Sequence, residues 1–578
     1  MSRSLGSPVA SGRGRGGIGF PFVSSAELQS IADELVAYLW DRDPLEATLM
    51  GFRDHDAGLA DLSTAAETAL RERRHALRAR TLDIGNDALT SQERVTKSVI
   101  LAILSNMDEV EISGVDDCTV SDFPVSPSSI LLAYLHMVPI TNEKEAAAYL
   151  ERLRAIPRHL EQSLERLARG RVRGLTPVAH LVVNAASQID KYLGAAEDPL
   201  LLSAPSTMPG VEAWRAEASA ILAAEVHPAF AAYRDALRAD VLPTARDREH
   251  VGLCHLPKGV ERYQALVHAH TTTRRTAADL HNLGLERVAA VHEEFRVLGK
   301  RLFGIEEPAQ LFKHLNEDVE LRWRTRADIL HAAEVAVRRA ETAAPEWFGR
   351  LPKEPCAITE VPDLEAEGSA PAYYMPPALD GSRAGTYFQN TWKPEERTSF
   401  DLESVAFHEA VPGHHFQIAI AQELEDLPLI RRLSMFTAYV EGWGLYSERL
   451  ADEMGLYSSD VQRLGMLSAD AWRASRLVVD TGMHAMGWTR EQALAYMLEA
   501  CPIARIDAEA EIDRYIAYPG QALSYMTGRL EIERMRAECA RIAGDRFDLR
   551  AFHDAVLGNG ALPLNVFADV MTAWATSL

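Results

Sequence analysis

Apolar residues recur at three- and four-residue spacing along most of this 578-residue chain, and this periodicity limits the fold more than any other feature. In the segment 25–50, for example, Leu28, Ile31 and Leu35 follow that spacing, which is typical of one apolar face of a helix. The pattern predicts a mainly α fold, and no repeat of the length seen in solenoids is present. The other helices that it predicts cover residues 64–84, 91–112, 142–169, 211–240 and 258–302.

Segments rich in Pro, Gly or Ser interrupt the helical pattern and predict loops at 120–129, 203–210 and 350–385. The part from 352 to 377 contains six prolines and is the best candidate for a non-helical insert. Residues 386–392 then alternate β-forming and polar side chains, which predicts one short strand. Within the predicted loop, the segment Tyr-Tyr-Met-Pro-Pro at 373–377 is expected to be a packed extended loop rather than a binding element.

Composition excludes several classes of partner. The formal net charge of −23 argues against nucleic acid or an anionic membrane as the main partner, because either would need a basic face. No run approaches the roughly 18 apolar residues of a membrane helix. The Arg/Gly-rich residues 1–20 have no apolar core, so they predict a disordered tail rather than a secretory signal. Five scattered cysteines without a C-x-x-C motif favour a reducing compartment, which predicts a cytoplasmic protein.

The segment F-H-E-A-V-P-G-H-H-F at 407–416 is the strongest chemical signal. A zinc hydrolase helix usually presents H-E-x-x-H, because residues i and i+4 share one face, but here Pro412 occupies i+4. In an unbroken helix His414 would point roughly 120° away from His408, and His415 would lie about 10.5 Å further along the axis. A break at Pro412-Gly413 could loop out two residues and bring His414 back beside His408, with His415 as the second choice. The alternative is a polar helix end without metal.

A carboxylate from the following segment supports the metal interpretation. Glu441 lies 27 residues after His414, among apolar and aromatic residues, and Glu is seldom buried unless it is paired or metal-bound. Two histidines and one glutamate would form a three-ligand site with an open fourth position, as in catalytic zinc sites. The alternative for Glu441 is an ion pair with an arginine.

Residues 370–530 contain a set of motifs in a fixed order: D-G-S-R-A-G-T-Y with N-T, H-E-A-V-P-G-H-H-F-Q, Y-V-E-G-W-G-L-Y, D-T-G-M-H and Y-P-G-Q-A-L-S-Y. Taken together they resemble the bacterial domain-of-unknown-function family numbered 885. That family is similar to helical glutamate-zincin peptidases such as thimet oligopeptidase, angiotensin-converting enzyme, Taq-type carboxypeptidase and dipeptidyl peptidase III. The resemblance implies a two-lobed helical shell around a deep central cleft, with an N-terminal lobe at 21–250 and a catalytic lobe at 251–578. Those peptidases read H-E-x-G-H or H-E-x-x-G-H, so the terminal Gly-His favours His414 over His415.

The resemblance also implies roles for side chains beyond the three metal ligands. Glu409 would act as general base and then as general acid, and a histidine and a tyrosine from later helices would donate hydrogen bonds to the reaction intermediate. His484 and Tyr525 are the candidates, with Tyr518 as a weaker alternative to Tyr525. Arg476, Asp480 and His484 follow at four-residue intervals and form either one polar stripe at the site, with Asp480 orienting His484, or a structural salt-bridge ladder.

In the resembling peptidases an edge strand above the zinc helix pairs with the extended substrate. Here that strand would be 386–391, with Tyr387, Asn390 and Arg476 as substrate-binding residues; the alternative is a strand that only closes a hairpin.

The function expected from the sequence is zinc-dependent hydrolysis of amide bonds in short peptides, with one Zn²⁺ per chain or another divalent metal in its place. Two alternatives keep the same cluster: an amidase that acts on a small amide-containing pathway intermediate, and an inactive metal-containing binding protein. The sequence makes no prediction of oligomeric state.

Overall fold

The computed structural model describes residues 23–201, 210–362, 366 and 370–578, and the predicted tail at 1–20 lies outside them. The described chain is mainly helical and contains one small sheet. No helix among these residues has the length and apolarity needed to cross a membrane. In the first half the α-helices are α1 Val23–Arg42, α2 Pro44–Leu49, α3 Thr64–Asp83, α4 Ser91–Ser113, α5 Pro127–Tyr134, α6 Glu143–Val172, α7 Ala179–Leu193, α8 Val211–Ile221, α9 His227–Ala236, α10 Gly259–Thr271 and α11 Ala277–Phe303.

Two π-helical turns in the first half, Leu222–Val226 and Leu237–Val241, continue α8 and α9. The second half holds the remaining helices and the sheet. The strands are β1 Ala357–Glu360, β2 Ala372–Met375 and β3 Thr386–Gln389. The helices are α12 Pro308–Glu317, α13 Arg326–Trp347, α14 Leu402–Glu409, α15 His414–Gln422, α16 Leu429–Leu433, α17 Thr437–Glu453, α18 Asp460–Met486, α19 Arg490–Ala500, α20 Arg505–Ala517, α21 Ser524–Ala543, α22 Leu549–Leu557 and α23 Leu564–Ser577.

The helices predicted from periodicity are confirmed, except that two of them are divided into shorter helices. Residues 25–50 form two helices rather than one, because Pro44 starts α2 and Asp43 caps it. The predicted helix 258–302 is divided where Thr272 adopts a left-handed conformation and Thr276 caps α11. The predicted loop at 120–129 is shorter than expected, since α5 begins at Pro127.

The single predicted strand is part of a three-stranded sheet with the order β1-β3-β2. β3 is parallel to β1 and antiparallel to β2. The prediction of a loop at 373–375 is therefore wrong, because the Tyr373, Tyr374 and Met375 backbone forms β2. The Tyr373 ring stacks on Phe388 across the two strands, with centroids 4.8 Å apart.

The two halves of the chain share their apolar cores. Four of the five apolar clusters among the described residues contain members from both sides of residue 250. Val99 of α4 packs with the α14–α17 region, and Ile430 of α16 packs with α1 and α4. The division into lobes at 21–250 and 251–578 stays a prediction.

The α17 and α21 helices meet at two glycines. A Cβ atom on Gly528 would lie 1.7 Å from the carbonyl oxygen of Ala438, and one on Gly442 would lie 2.5 Å from the Gly528 Cα. Real Cβ atoms do not approach backbone so closely, so glycine at both positions allows the backbones into contact. This contact fixes α17, which carries Glu441, against α21, which carries Tyr525.

We predict that Gly528→Ala destabilises the fold by about 1–3 kcal/mol or more, because the added methyl group would collide with rigid helix backbone. Gly85→Ala is the matched control, since nothing lies within 4 Å of a Cβ atom there. Denaturant unfolding followed by circular dichroism measures both variants. An unfolding midpoint for Gly528→Ala equal to that of Gly85→Ala would contradict the packing argument.

Candidate metal centre

The Pro-Gly segment ends one helix and allows another to begin. Helix α14 ends at Glu409 and α15 begins at His414, so four residues form the turn between them. A Cβ atom at Gly413 would lie 1.9 Å from the carbonyl oxygen of His408, so only glycine fits this tight turn. The Trp443 indole N–H of α17 donates to the Pro412 carbonyl at 2.9 Å and ties the turn to that helix.

The turn brings two imidazoles together. The His408 and His414 rings lie edge to face with centroids 4.6 Å apart, and both side chains are buried. His415 points elsewhere: its Nε2 donates to the Glu354 carbonyl at 3.0 Å, and its Nδ1 accepts from the Tyr374 hydroxyl at 3.0 Å. The structure thus places His414, the histidine favoured by the resemblance, beside His408.

Glu441 completes the cluster from α17. Its Oε2 atom lies 3.6 Å from His408 Nε2 and 3.4 Å from His414 Nε2, and one ligand atom from each residue lies within 4.8 Å of the others. Ligands about 2.1 Å from a tetrahedral zinc ion are about 3.4 Å apart, so both distances to Glu441 fit such an ion. Among the described residues this is the one group of three or more His, Cys, Asp or Glu side chains with such spacing.

A second carboxylate of α17, missed by the sequence analysis, holds His408 in place. Glu448 Oε1 accepts from His408 Nδ1 at 2.8 Å, and its other oxygen accepts from the Ser404 hydroxyl at 2.6 Å. This bond makes Nδ1 the donor to Glu448 and directs Nε2 toward Glu441, which is the usual arrangement behind a metal-binding histidine. The His408 ring lies against Gly444, where a Cβ atom would be 2.7 Å from the ring.

The cluster carries an excess of negative charge. Burial alone would lower the pKa of His408, but hydrogen bonds to Glu441 and Glu448 and the nearby Glu409 charge raise it to about 9. Despite burial, the two histidines hold the pKa of Glu441 far below its ordinary value. Arg473 lies 3.7 Å from Glu448 and offsets only that carboxylate. Buried carboxylates of this kind favour a cation at the shared site.

Glu409 stands next to the cluster without a structural partner. It is the last residue of α14, directly after His408, and its side chain is half-buried. No hydrogen bond or ion pair joins its carboxylate to another residue in the described part of the chain. Such a carboxylate is available to exchange protons with a molecule bound at the cluster.

Tyr525 lies beside the cluster, and Arg476 lies against Tyr525. The Tyr525 ring is roughly parallel to the His408 imidazole, with centroids 6.4 Å apart. The Arg476 guanidinium lies over the Tyr525 ring, with its Cζ atom 4.3 Å from the centroid. Burial raises the pKa of the Tyr525 phenol, so it remains protonated and can donate a hydrogen bond at neutral pH. Tyr518 packs instead against His270.

His484 does not have the environment that the resemblance implied. Its Nδ1 accepts from the Leu253 backbone N–H at 3.2 Å, its Nε2 donates to the Tyr515 carbonyl at 3.1 Å, and the side chain has no solvent exposure. Both ring nitrogens are therefore occupied by backbone. Asp480 accepts from the Tyr263 hydroxyl and the Gly520 N–H instead of orienting His484, so this end of the stripe is structural.

Tyr387 and Asn390 do not line a groove, because β3 is the middle strand of the sheet and has no free edge. The Tyr387 side chain is fully buried and its hydroxyl donates to Gln389. Asn390 is also fully buried and its amide donates to the Ala366 carbonyl at 2.8 Å. Both residues stabilise the sheet and its connection, and the prediction of substrate pairing along β3 is corrected.

Comparisons with known proteins match one family model and several solved structures. The family model described as "Bacterial protein of unknown function (DUF885)" matches residues 44–571. A structure of a candidate lipoprotein from Colwellia psychrerythraea has a TM-score of 0.88 and 27% identity, covering 96% of this chain and all of that one. A structure of a candidate lipoprotein of unknown function from Shewanella oneidensis has a TM-score of 0.71 and 21% identity, covering 94% and 99% of the two chains. No curated protein matches.

We predict that His408→Ala, His414→Ala and Glu441→Ala each abolish stoichiometric zinc binding, because each removes one of three converging ligands. His415→Ala is the matched control, since it deletes the adjacent buried imidazole, which faces away from the cluster. Elemental analysis after dialysis against zinc measures the metal content. One zinc per chain in the His414 variant and none in the His415 variant would reverse the assignment.

We further predict that Glu448→Gln lowers zinc affinity about 10- to 100-fold, because the neutral amide no longer holds His408 in the required tautomer. Glu453→Gln, on the same helix, is the control: Glu453 pairs with Arg536 near the surface. Competition with a chromogenic chelator gives both affinities. Equal affinities would show that Glu448 has no part in positioning His408.

Proposed function

The chain belongs to the DUF885 family, and we propose that it is a metal-dependent hydrolase that cleaves amide bonds in short peptides. The observation that carries the proposal is the convergence of His408, His414 and Glu441 beside a half-buried glutamate without a partner, Glu409. Two imidazoles and one carboxylate are a donor set typical of hydrolytic zinc sites, in which a further coordination position stays open.

The donor set fits a divalent cation in chemistry and in spacing. His408, His414 and Glu441 would hold it, and Zn²⁺ suits two nitrogen and one oxygen ligands, while Mn²⁺ or Co²⁺ would use the same atoms. When bound, such an ion lowers the pKa of a water molecule and polarises an amide carbonyl.

The protein side chains would handle the protons and the developing charge. Glu409 would accept a proton from the attacking water and pass it to the leaving nitrogen as the C–N bond breaks. The Tyr525 hydroxyl is the donor we assign to the oxygen that gains negative charge, because the Tyr525 ring lies beside His408. Glu448 would keep His408 in one tautomer throughout.

The remaining parts of the proposal rest on the resemblance and the composition. We propose a zincin-like fold with two helical lobes around a cleft; the mainly helical architecture supports it. The acidic charge of the chain supports peptides rather than nucleic acid as partners. We also keep the cytoplasmic location as a prediction: all five cysteines are unpaired, as in a reducing compartment, whereas the two structural relatives are described as candidate lipoproteins.

We predict that Glu409→Gln retains one zinc per chain but loses at least about 100-fold in turnover, because the amide cannot accept the proton of water. The zinc-loaded protein is incubated with a mixture of short peptides, and the products are followed by mass spectrometry. Glu425→Gln is the control, because this exposed glutamate lies beyond α15 and pairs with Lys353 at the surface.

Three outcomes separate the possibilities. Peptide cleavage that a chelator removes and zinc restores supports the hydrolase, and unimpaired turnover by Glu409→Gln would reject the role of Glu409. Bound zinc with no cleavage of any peptide would favour the metal-containing binding protein instead.

A further inference from the structure

Arg476 is a buried arginine with an unused donor beside the candidate metal centre. Its Nε donates to the Tyr515 hydroxyl at 2.7 Å and its Nη2 to Glu511 at 3.0 Å. Its Nη1 has no hydrogen-bond partner in the described part of the chain. Water does not replace such a partner, because Nη1 is buried and the side chain is only 5% exposed. An unsatisfied charged donor in such a position is costly and calls for an acceptor.

The surroundings of Arg476 carry a surplus of positive charge. Arg514 also pairs with Glu511, at 3.0 Å, so two guanidinium groups share one carboxylate. The remaining Arg514 donor is used by the Gln521 side chain at 2.8 Å. The Arg476 guanidinium adjoins the aromatic rings of Trp472, Tyr515 and Tyr525. These rings partly compensate its charge, but they do not supply an in-plane acceptor for the N–H groups of Nη1.

This positive group and the negative metal cluster both adjoin one residue. The Tyr525 ring contacts the Arg476 guanidinium, and it is also roughly parallel to the His408 imidazole. A short substrate whose scissile carbonyl lies at the cluster can therefore reach Arg476 with a group only one or two residues away.

We propose that Arg476, with the added positive charge of Arg514, binds a free carboxylate of the substrate. The inference rests on the proposed function and narrows it: the substrate ends in a carboxylate close to the cleaved amide, so the enzyme removes C-terminal residues or splits dipeptides. A planar guanidinium is suited to a carboxylate, and Nη1 is the atom that receives it.

The test compares a randomised tripeptide mixture with free carboxylates and the same mixture as C-terminal amides, using the zinc-loaded full chain. The free acids are expected to be hydrolysed with about 10- to 100-fold higher kcat/KM, because the amides lose a charge-assisted contact. In Arg476→Lys this advantage should fall below threefold through a higher KM, since a single Lys ammonium cannot pair with Glu511 and also offer a donor at the position of Nη1. Arg490→Lys is the matched control, because Arg490 is similarly buried but pairs with Asp513 away from Tyr525.

Binding separates this inference from the hydrolase proposal. Calorimetry with the zinc-loaded Glu409→Gln protein measures the affinity of both mixtures without turnover. Equal cleavage or equal binding of acids and amides, an absence of binding by both, or the same loss of preference in Arg490→Lys, overturns the carboxylate site. Preferred binding of the acids without cleavage by the wild-type protein supports the site while contradicting the hydrolase.

Discussion

The hydrogen bond between His408 and Glu448 is the contact on which the rest of the centre depends. It joins α14 to α17, and the same helix presents Glu441 to the opposite nitrogen of the ring, so one imidazole lies between two carboxylates spaced seven residues apart. Seven residues are close to two helical turns, which puts both carboxylates on one face of α17. Gly444 lies between them and leaves space for the ring. The Pro412-Gly413 turn reverses the chain enough for His414 to face the same side of α17. The hydrogen bond from the Trp443 indole to the Pro412 carbonyl holds this turn in place.

Local sequence patterns predicted the helices well because each amphipathic face is encoded within a few turns. Helix breaks were harder to place: the division between α10 and α11 depends on one left-handed residue, Thr272, which no apolar spacing reveals. The sheet was largely missed because β1 and β2 are four residues long and their partners are distant in sequence. Strand order is a long-range property, and the middle position of β3 removed the substrate groove predicted for Tyr387 and Asn390.

The candidate site shows the same division between local and long-range information. His408, His414 and Glu441 could be proposed because their motifs are short and their spacing restricts the geometry. The spacing of seven residues from Glu441 predicts that Glu448 lies on the same face of α17. It does not predict that Glu448 pairs with His408, because that pairing depends on how α14 packs against α17. His484 shows the converse: a histidine in a suggestive stripe proved to be held at both nitrogens by backbone from two distant segments. Arg514 and Glu511 could not be connected to Arg476 without knowing how α20 packs on α18.

Two clusters of opposite charge excess flank Tyr525, and their proximity argues for a bound molecule rather than for stability. Buried carboxylates and guanidinium groups lose hydration on folding, and an ion pair within a protein often fails to recover that loss. If the two clusters existed only to stabilise the fold, pairing them directly would satisfy both. Yet both adjoin the Tyr525 ring, and no ion pair in the described part of the chain joins Arg476 or Arg514 to Glu441 or Glu448, so the His408 side stays negative and the Arg476 side positive. A cation at the first cluster and a carboxylate at the second would neutralise each in place. The separation therefore fits a site whose charges are completed by ligands, and it explains why a chain can retain an arrangement that folding alone would not favour.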